Sequence, residues 1–236
     1  MVDLIASIRT DAAALADAAE IDPSAPIARY HGWTQIDLLA HVGSVHRRTT
    51  ETVRTAAVER VGRVQPTDEE AAALLSWFRE GAEELAATLE GADPSMRVWS
   101  FGPEPTVGWW LIRMALETAV HRWDAQLPLG GPDPIDPELA VLGIDEFASL
   151  WSGSVVMGRD ANPLCLRATD ARQSWLLAPA GEGISFERGE GIESVSGSAA
   201  TLYLWLLGRA SLADLGASSD AEGWEAALQA LPDARR

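Results

Sequence analysis

A stretch dense in proline and glycine, Leu127-Pro128-Leu129-Gly130-Gly131-Pro132-Asp133-Pro134, divides the chain into two parts whose apolar residues repeat with different periods. No helix or strand runs through such a segment, so it marks a linker. Before it the period is helical. Leu4, Ile5, Ile8, Ala12, Leu15 and Ala19 recur at helix spacing over residues 2–19. A proline-containing loop follows, and Thr34 then reads as an N-cap with Asp37 at N3 and Trp33 and Leu38 as a hydrophobic staple. The helix they open is expected over residues 35–61. Thr67 with Glu70 reads as a second capping box, for a helix running to Glu90. Thr106 caps a further helix from Val107 to Gln126. Long helices joined by modest loops predict an up-and-down four-helix bundle over residues 1–127.

After the break the pattern changes. Asp136-Pro137 starts a helix with proline at its first position, expected to end near Trp151. Leu164, Leu166 and Ala168 alternate with Cys165, Arg167 and Thr169, as on a half-buried strand. Ser174–Ala178, Ile184–Glu187 and Ile192–Val195 are further strand candidates, with a turn at Gly181-Glu182-Gly183. An apolar helix is expected from Gly197 to Arg209 and a short last one from Ala221 to Ala230. The predicted fold class is therefore α+β, the helical bundle being followed by a small α+β domain over residues 136–236.

Composition narrows the function. The 236 residues hold 18 basic and 35 acidic side chains, a formal charge of −17. That balance argues against nucleic-acid binding, which needs a basic footprint, and against docking on an anionic membrane. No apolar run is long enough for a membrane span, and Met1-Val2-Asp3-Leu4 does not open a signal peptide. A single cysteine, Cys165, excludes an internal disulfide framework and fits a reducing compartment, so a cytoplasmic location is expected. Its strand position reads as a passive thiol. The 10 tryptophans are mostly explained by core packing, although Trp109-Trp110 could also wall a pocket.

Chemistry centres on four histidines, His31, His41, His46 and His121. His121 follows Glu117 by four residues, which puts both on one helix face. Imidazole and carboxylate are good zinc ligands, and His41 on the helix opened by Thr34 can supply a third. Three protein ligands leave a tetrahedral zinc with one open position, the catalytic arrangement. The plainer alternatives are a solvated Glu–His pair at i, i+4 and a core histidine at position 41. His46 lies about 140° around the helix from His41 and is not expected to join it. Asp37, four residues before His41, either holds its ring N–H or serves only as the capping-box carboxylate. Arg113, four before Glu117, either neutralises it or binds substrate, and Arg48 is either a surface residue or a substrate anchor.

Two segments resemble a known family. Trp33-Thr34-Gln35-Ile36-Asp37-Leu38-Leu39-Ala40-His41-Val42-Gly43 is similar to the first metal motif of the mycothiol-dependent maleylpyruvate isomerase family, and Leu116-Glu117-Thr118-Ala119-Val120-His121-Arg122-Trp123-Asp124-Ala125 to its second. The family belongs to the DinB-like four-helix bundles, and its zinc ligands map onto His41, Glu117 and His121. The segment Val195–Arg209 resembles the helix motif of the family's sterol-carrier-like C-terminal domain. The resemblance implies a Zn2+ (or other divalent metal) centre and mycothiol as thiol cofactor. It implies a thiolate attacking a small-molecule electrophile, in cis–trans isomerisation or S-transfer. It also implies that Arg209 can face the active site, with Arg48 and Arg113 as further candidates for a substrate carboxylate; a helix-terminal cation is the plainer role for Arg209. Metal-assisted hydrolysis with Asp37 as base, or a non-catalytic module carrying an apolar ligand, are the rival readings. The expected state is a monomer or homodimer.

Overall fold

The computed structural model describes residues 2–67, 70–191, 194–217 and 221–231. The chain forms two compact units, Met1–Ile135 and Asp136–Arg236.

The first unit is built from α1 (Leu4–Ile21), α2 (Gln35–Arg54), α3 (Ala71–Gly91) and α4 (Val107–Gln126). The Asp3 carboxylate caps α1 by accepting the Ala6 N–H at 3.0 Å. Thr34 opens α2 as its residue type suggests, with the Asp37 carboxylate accepting the Thr34 N–H at 2.8 Å. Thr106 caps α4 through the Trp109 N–H. α3 differs from expectation: its N-cap is Glu70, whose side chain accepts the Ala73 N–H, so the helix begins without Thr67. Asp68 and Glu69, between those two, lie outside the described residues.

α2 stops at Arg54, well short of the expected residue 61. Ala56 takes a left-handed conformation (φ 48°), and the Ala57 and Ala56 N–H groups close on the carbonyls of Thr52 and Val53. This is a Schellman-type ending with alanine where glycine is the usual residue, so the sequence carries no stop signal there. The Ala57 carbonyl then accepts the Trp99 N–H, tying this loop to the one before α4.

α1 lies against α4 and α3, and α2 against α3 and α4. The consecutive helices α1 and α2 therefore sit diagonally across the bundle, a departure from the simple up-and-down order expected, in which consecutive helices are neighbours. Leu15, Leu38, Leu39, Leu74 and Phe78 fill the centre. Gly43 lets α2 approach α3 closely, since a Cβ there would stand 2.3 Å from the Trp77 ring.

The proline- and glycine-dense segment is not loose. Arg122, buried on α4, donates to Asp11 on α1 and to Gln126, and holds the carbonyls of Asp133 and Pro134. Its last residues are thereby fastened back onto the bundle.

The second unit holds α5 (Pro137–Trp151), β1 (Leu164–Ala168), β2 (Gln173–Ala180), β3 (Gly183–Arg188), β4 (Ser194–Gly197), α6 (Ala199–Leu206), β5 (Gly216–Ala217) and α7 (Ala221–Gln229). The strands form one sheet in the order β3-β2-β1-β4-β5, with β1 parallel to β4 and the other pairs antiparallel. Three strands lie where the alternation places them. Of the fourth expected strand, Ile192 and Glu193 lie outside the described residues. β5, only two residues long, has no hydrophobic pattern to announce it. β1 is not half-buried: Leu164, Cys165 and Leu166 all have 0% exposure. Gly191 passes over the Cys165 side, where an added Cβ would come within 3.0 Å of the cysteine Cβ. α6 ends at Leu206, three residues before Arg209, because Gly208 adopts φ 69° and the Arg209 N–H turns back to the Leu204 carbonyl at 2.8 Å. Among the described residues no helix is long and apolar enough to cross a membrane.

Removing Arg122 takes away the buried guanidinium that joins Asp11, Gln126 and the carbonyls of Asp133 and Pro134. Arg122→Ala is expected to lower the unfolding free energy by about 3–5 kcal/mol, read from urea denaturation. Adding Asp11→Ala should recover part of that loss.

Candidate metal centre

α2 and α4 carry the site. Three polar ties fix their register: Gln35 Nε2 donates to the Ala125 carbonyl, His41 Nε2 lies 3.5 Å from Glu117 Oε1, and His46 Nε2 meets Thr118 Oγ1 at 2.9 Å. From the Gln35–Ala125 tie to the His46–Thr118 tie residue numbers fall on α4 as they rise on α2, so the two helices are antiparallel. That register delivers His41 to the face where Glu117 and His121 project together.

His121 Nε2 stands 3.3 Å from the same Glu117 Oε1. One donor atom from each of His41, Glu117 and His121 lies within 4.8 Å of the others, and among the described residues no other group of three such side chains is gathered this way. Glu117 and His121 are buried, with 6% and 2% side-chain exposure, while His41 retains 22%.

The partners of these groups orient them. His121 Nδ1 lies 3.1 Å from Asp124 Oδ2. A carboxylate there requires a proton on Nδ1, so in the neutral ring Nε2 is the nitrogen available to bind a metal. Arg113 pairs with Glu117 Oε2, leaving Oε1 as the oxygen turned to both imidazoles. Burial alone would push the Glu117 carboxyl up, but Arg113, and after it His121, hold it well below the usual carboxylate range. Burial opposes charge on His121 too, and Glu117 and Asp124 outweigh it, raising its pKa.

The loop before α2 completes the surroundings. The Trp33 ring stands 5.3 Å from the His41 ring and 4.7 Å from Tyr30, whose ring is 6.0 Å from His121. Tyr30 had no signal in the sequence; it belongs to an irregular loop without periodicity.

The other candidates divide. Asp37 accepts from both the backbone N–H and the hydroxyl of Thr34, so it serves the cap. Arg113 joins the cluster through Glu117. Arg48, two turns beyond His41, is half-buried with its Nε unpartnered; burial and then Arg60 lower its pKa, while Glu117 acts in the opposite sense. Arg209 belongs to the second unit, just past the glycine that closes α6. His46 is fully buried against Phe78, apart from the cluster, and His31 is exposed.

A helical bundle presenting two histidines and a glutamate inward, followed by a mixed-sheet unit, is the class of protein defined here. Residues 4–126 match the family described as the mycothiol maleylpyruvate isomerase N-terminal domain, and the chain belongs to that family. Its fold is similar over most of its length to the crystal structure of the mycothiol-dependent maleylpyruvate isomerase, with a TM-score of 0.65, 16% identity, and coverage of 93% of this chain and 94% of that one. A crystal structure of a histidine-to-alanine variant of that enzyme matches with the same TM-score of 0.65 and 16% identity, covering 93% of this chain and 94% of that one. No curated protein matches the chain.

The buried His46 gives a stability test. Desolvation lowers its pKa from 6.5 to about 4. Below pH 6.5 the unfolded chain takes up a proton that the folded chain refuses until about pH 4, so stability falls with pH across that window. The loss attributable to this residue is at most about 3 kcal/mol. In His46→Gln, urea midpoints measured between pH 7 and pH 4.5 should fall less steeply than in the wild type.

Proposed function

We propose that the protein is a divalent-metal enzyme, with zinc as the first candidate, that uses a low-molecular-weight thiol, with mycothiol as the first candidate, to transform an electrophilic small molecule. The observation that carries this reading is the convergence of His41 Nε2, His121 Nε2 and Glu117 Oε1 on one point. The donor chemistry fits a borderline metal: two imidazole nitrogens and one carboxylate oxygen, a set that leaves a tetrahedral ion an open position. Bound there, the metal and thiol together supply a thiolate at neutral pH, which can interconvert cis and trans alkenes by addition and elimination or leave a thioether as product.

The chain's own residues prepare the site. Asp124 keeps the His121 proton on Nδ1, away from the centre. Arg113 occupies Glu117 Oε2 and keeps the carboxylate ionised. That commitment makes Arg113 a neutralising partner rather than a substrate anchor.

Arg48 is the better anchor. Its guanidinium has no ion pair among the described residues, although the chain has 35 acidic side chains and only 18 basic ones. Helical side chains lean toward the N-terminus, which aims Arg48 back along α2 toward His41. We assign it to a carboxylate of the substrate, for which a guanidinium is suited. Arg209 is the further guanidinium for which the resemblance implies a substrate role. Cis–trans isomerisation of an unsaturated dicarboxylate and S-transfer both suit this arrangement. Hydrolysis with Asp37 as base suits it less, because Thr34 takes up that carboxylate. A cytoplasmic setting follows from the same reading, since it requires a reduced thiol.

Elemental analysis of the purified protein should find about one divalent metal per chain, absent from His121→Ala. Turnover of an electrophilic alkene should require added thiol. Wild-type protein that takes up no metal, or turns substrate over without thiol, would refute the proposal.

A further inference from the structure

The two imidazoles of the cluster are held by different means. His121 is locked by its hydrogen bond to Asp124 inside the bundle. For His41 to present its Nε2 lone pair to the centre, its proton must sit on Nδ1. No hydrogen-bond acceptor for that Nδ1–H is found among the described residues. The carboxylate spaced to serve it, Asp37, is occupied by Thr34. His41 is also the more exposed ring, at 22% against 2% for His121.

Ring contacts take the place of the missing hydrogen bond. His41, Trp33, Tyr30 and His121 form a closed circuit, each ring touching the next, with centroid separations of 5.3, 4.7, 6.0 and 5.3 Å. Trp33 meets His41 at 54°, a tilted contact that opposes rotation of the imidazole about its Cβ–Cγ bond. Trp33 is itself fixed. Its N–H donates to the Tyr30 carbonyl at 3.0 Å and its carbonyl accepts the Ile27 N–H at 2.9 Å. Between the two aromatic residues Gly32 takes φ 82°, a conformation that favours glycine and makes the turn tight enough to bring their rings into tilted contact. The indole also packs on the apolar core of the bundle, so its position is set from both sides.

From this geometry we infer that Trp33 is a positioning residue for His41, holding the imidazole in its ligand orientation as Asp124 holds that of His121. The inference rests on the metal reading above. Outer contacts of a metal-binding histidine are commonly worth about 10–100-fold in metal affinity. Trp33 carries that share through shape rather than through a hydrogen bond, so a planar ring of smaller size should replace it and an aliphatic side chain should not.

The test is zinc affinity, measured by competition with a chromogenic chelator on wild type, Trp33→Phe and Trp33→Leu, with metal-free cooperative unfolding of each followed by circular dichroism. Trp33→Phe should bind within about 3-fold of wild type, and Trp33→Leu about 10-fold or more weakly while still unfolding cooperatively. Wild-type affinity in Trp33→Leu would overturn the inference and leave the metal centre standing. Equal weakening in both variants would also overturn it, assigning the effect to lost bulk rather than to the ring. A wild type that binds no zinc would overturn the metal reading itself, and the inference with it. If Trp33→Leu fails to unfold cooperatively, Tyr30→Leu, which removes the ring backing Trp33, replaces it in the comparison. It should weaken zinc binding, and wild-type affinity there would overturn the inference.

Discussion

A carboxylate buried inside a helical bundle is the constraint on which the first unit depends. Glu117 has 6% exposure and stays ionised, which a protein interior tolerates only when opposite charge and hydrogen bonds surround the group. Arg113 and His121, four residues to either side, supply compensation from α4 itself. The remaining partner, His41, must come from α2. Sliding or rotating either helix would strip Glu117 of part of its compensation, so this one charge couples the antiparallel register of α2 and α4 to the chemistry of the site. Gln35 reinforces that register at one end and His46 at the other, both through buried side chains.

The parts of this arrangement that depend on spacing were readable in advance. Glu117 and His121 share a face because they are four apart, and Thr34 caps α2 because its side chain and Asp37 complete a box. The alternation around Leu164, Trp175 and Ile184 likewise located three strands. What escaped was set by tertiary contact or by rare backbone states. Ala56 ends α2 in a conformation that glycine usually takes, so no residue type announced it. Cys165 is buried on a strand face that alternation would leave to solvent, because the chain near Gly191 covers it. Tyr30 reaches His121 from an irregular loop whose path no periodicity describes. The role of Asp37 was open between cap and imidazole partner, and only the geometry decides for the cap.

The second unit shows the same division between local and non-local information. The Leu207-Gly208-Arg209 segment closes α6 by a Schellman turn, with Gly208 at φ 69° and the backbone of Arg209 completing the motif. The main-chain conformation there is explained by capping alone. A role for the Arg209 side chain is a separate matter, since the turn uses only its N–H. A motif can therefore have two layers, one in which glycine satisfies the backbone and another in which the neighbouring side chain is free to differ in purpose.

The unequal treatment of the two histidines has a physical logic. A hydrogen bond to a buried carboxylate, as His121 has, is strong where water is excluded, and 2% exposure ensures that. The same bond at His41 would compete with solvent and hold the ring less firmly. A ring-to-ring contact loses little from partial exposure, because it depends on dispersion and shape more than on unscreened charge. Placing the carboxylate partner on the sealed imidazole and the aromatic partner on the open one matches each restraint to the dielectric in which it works. It also keeps an additional negative charge away from the exposed side of the cluster, the side from which an anion would otherwise be repelled by a protein carrying 35 acidic side chains.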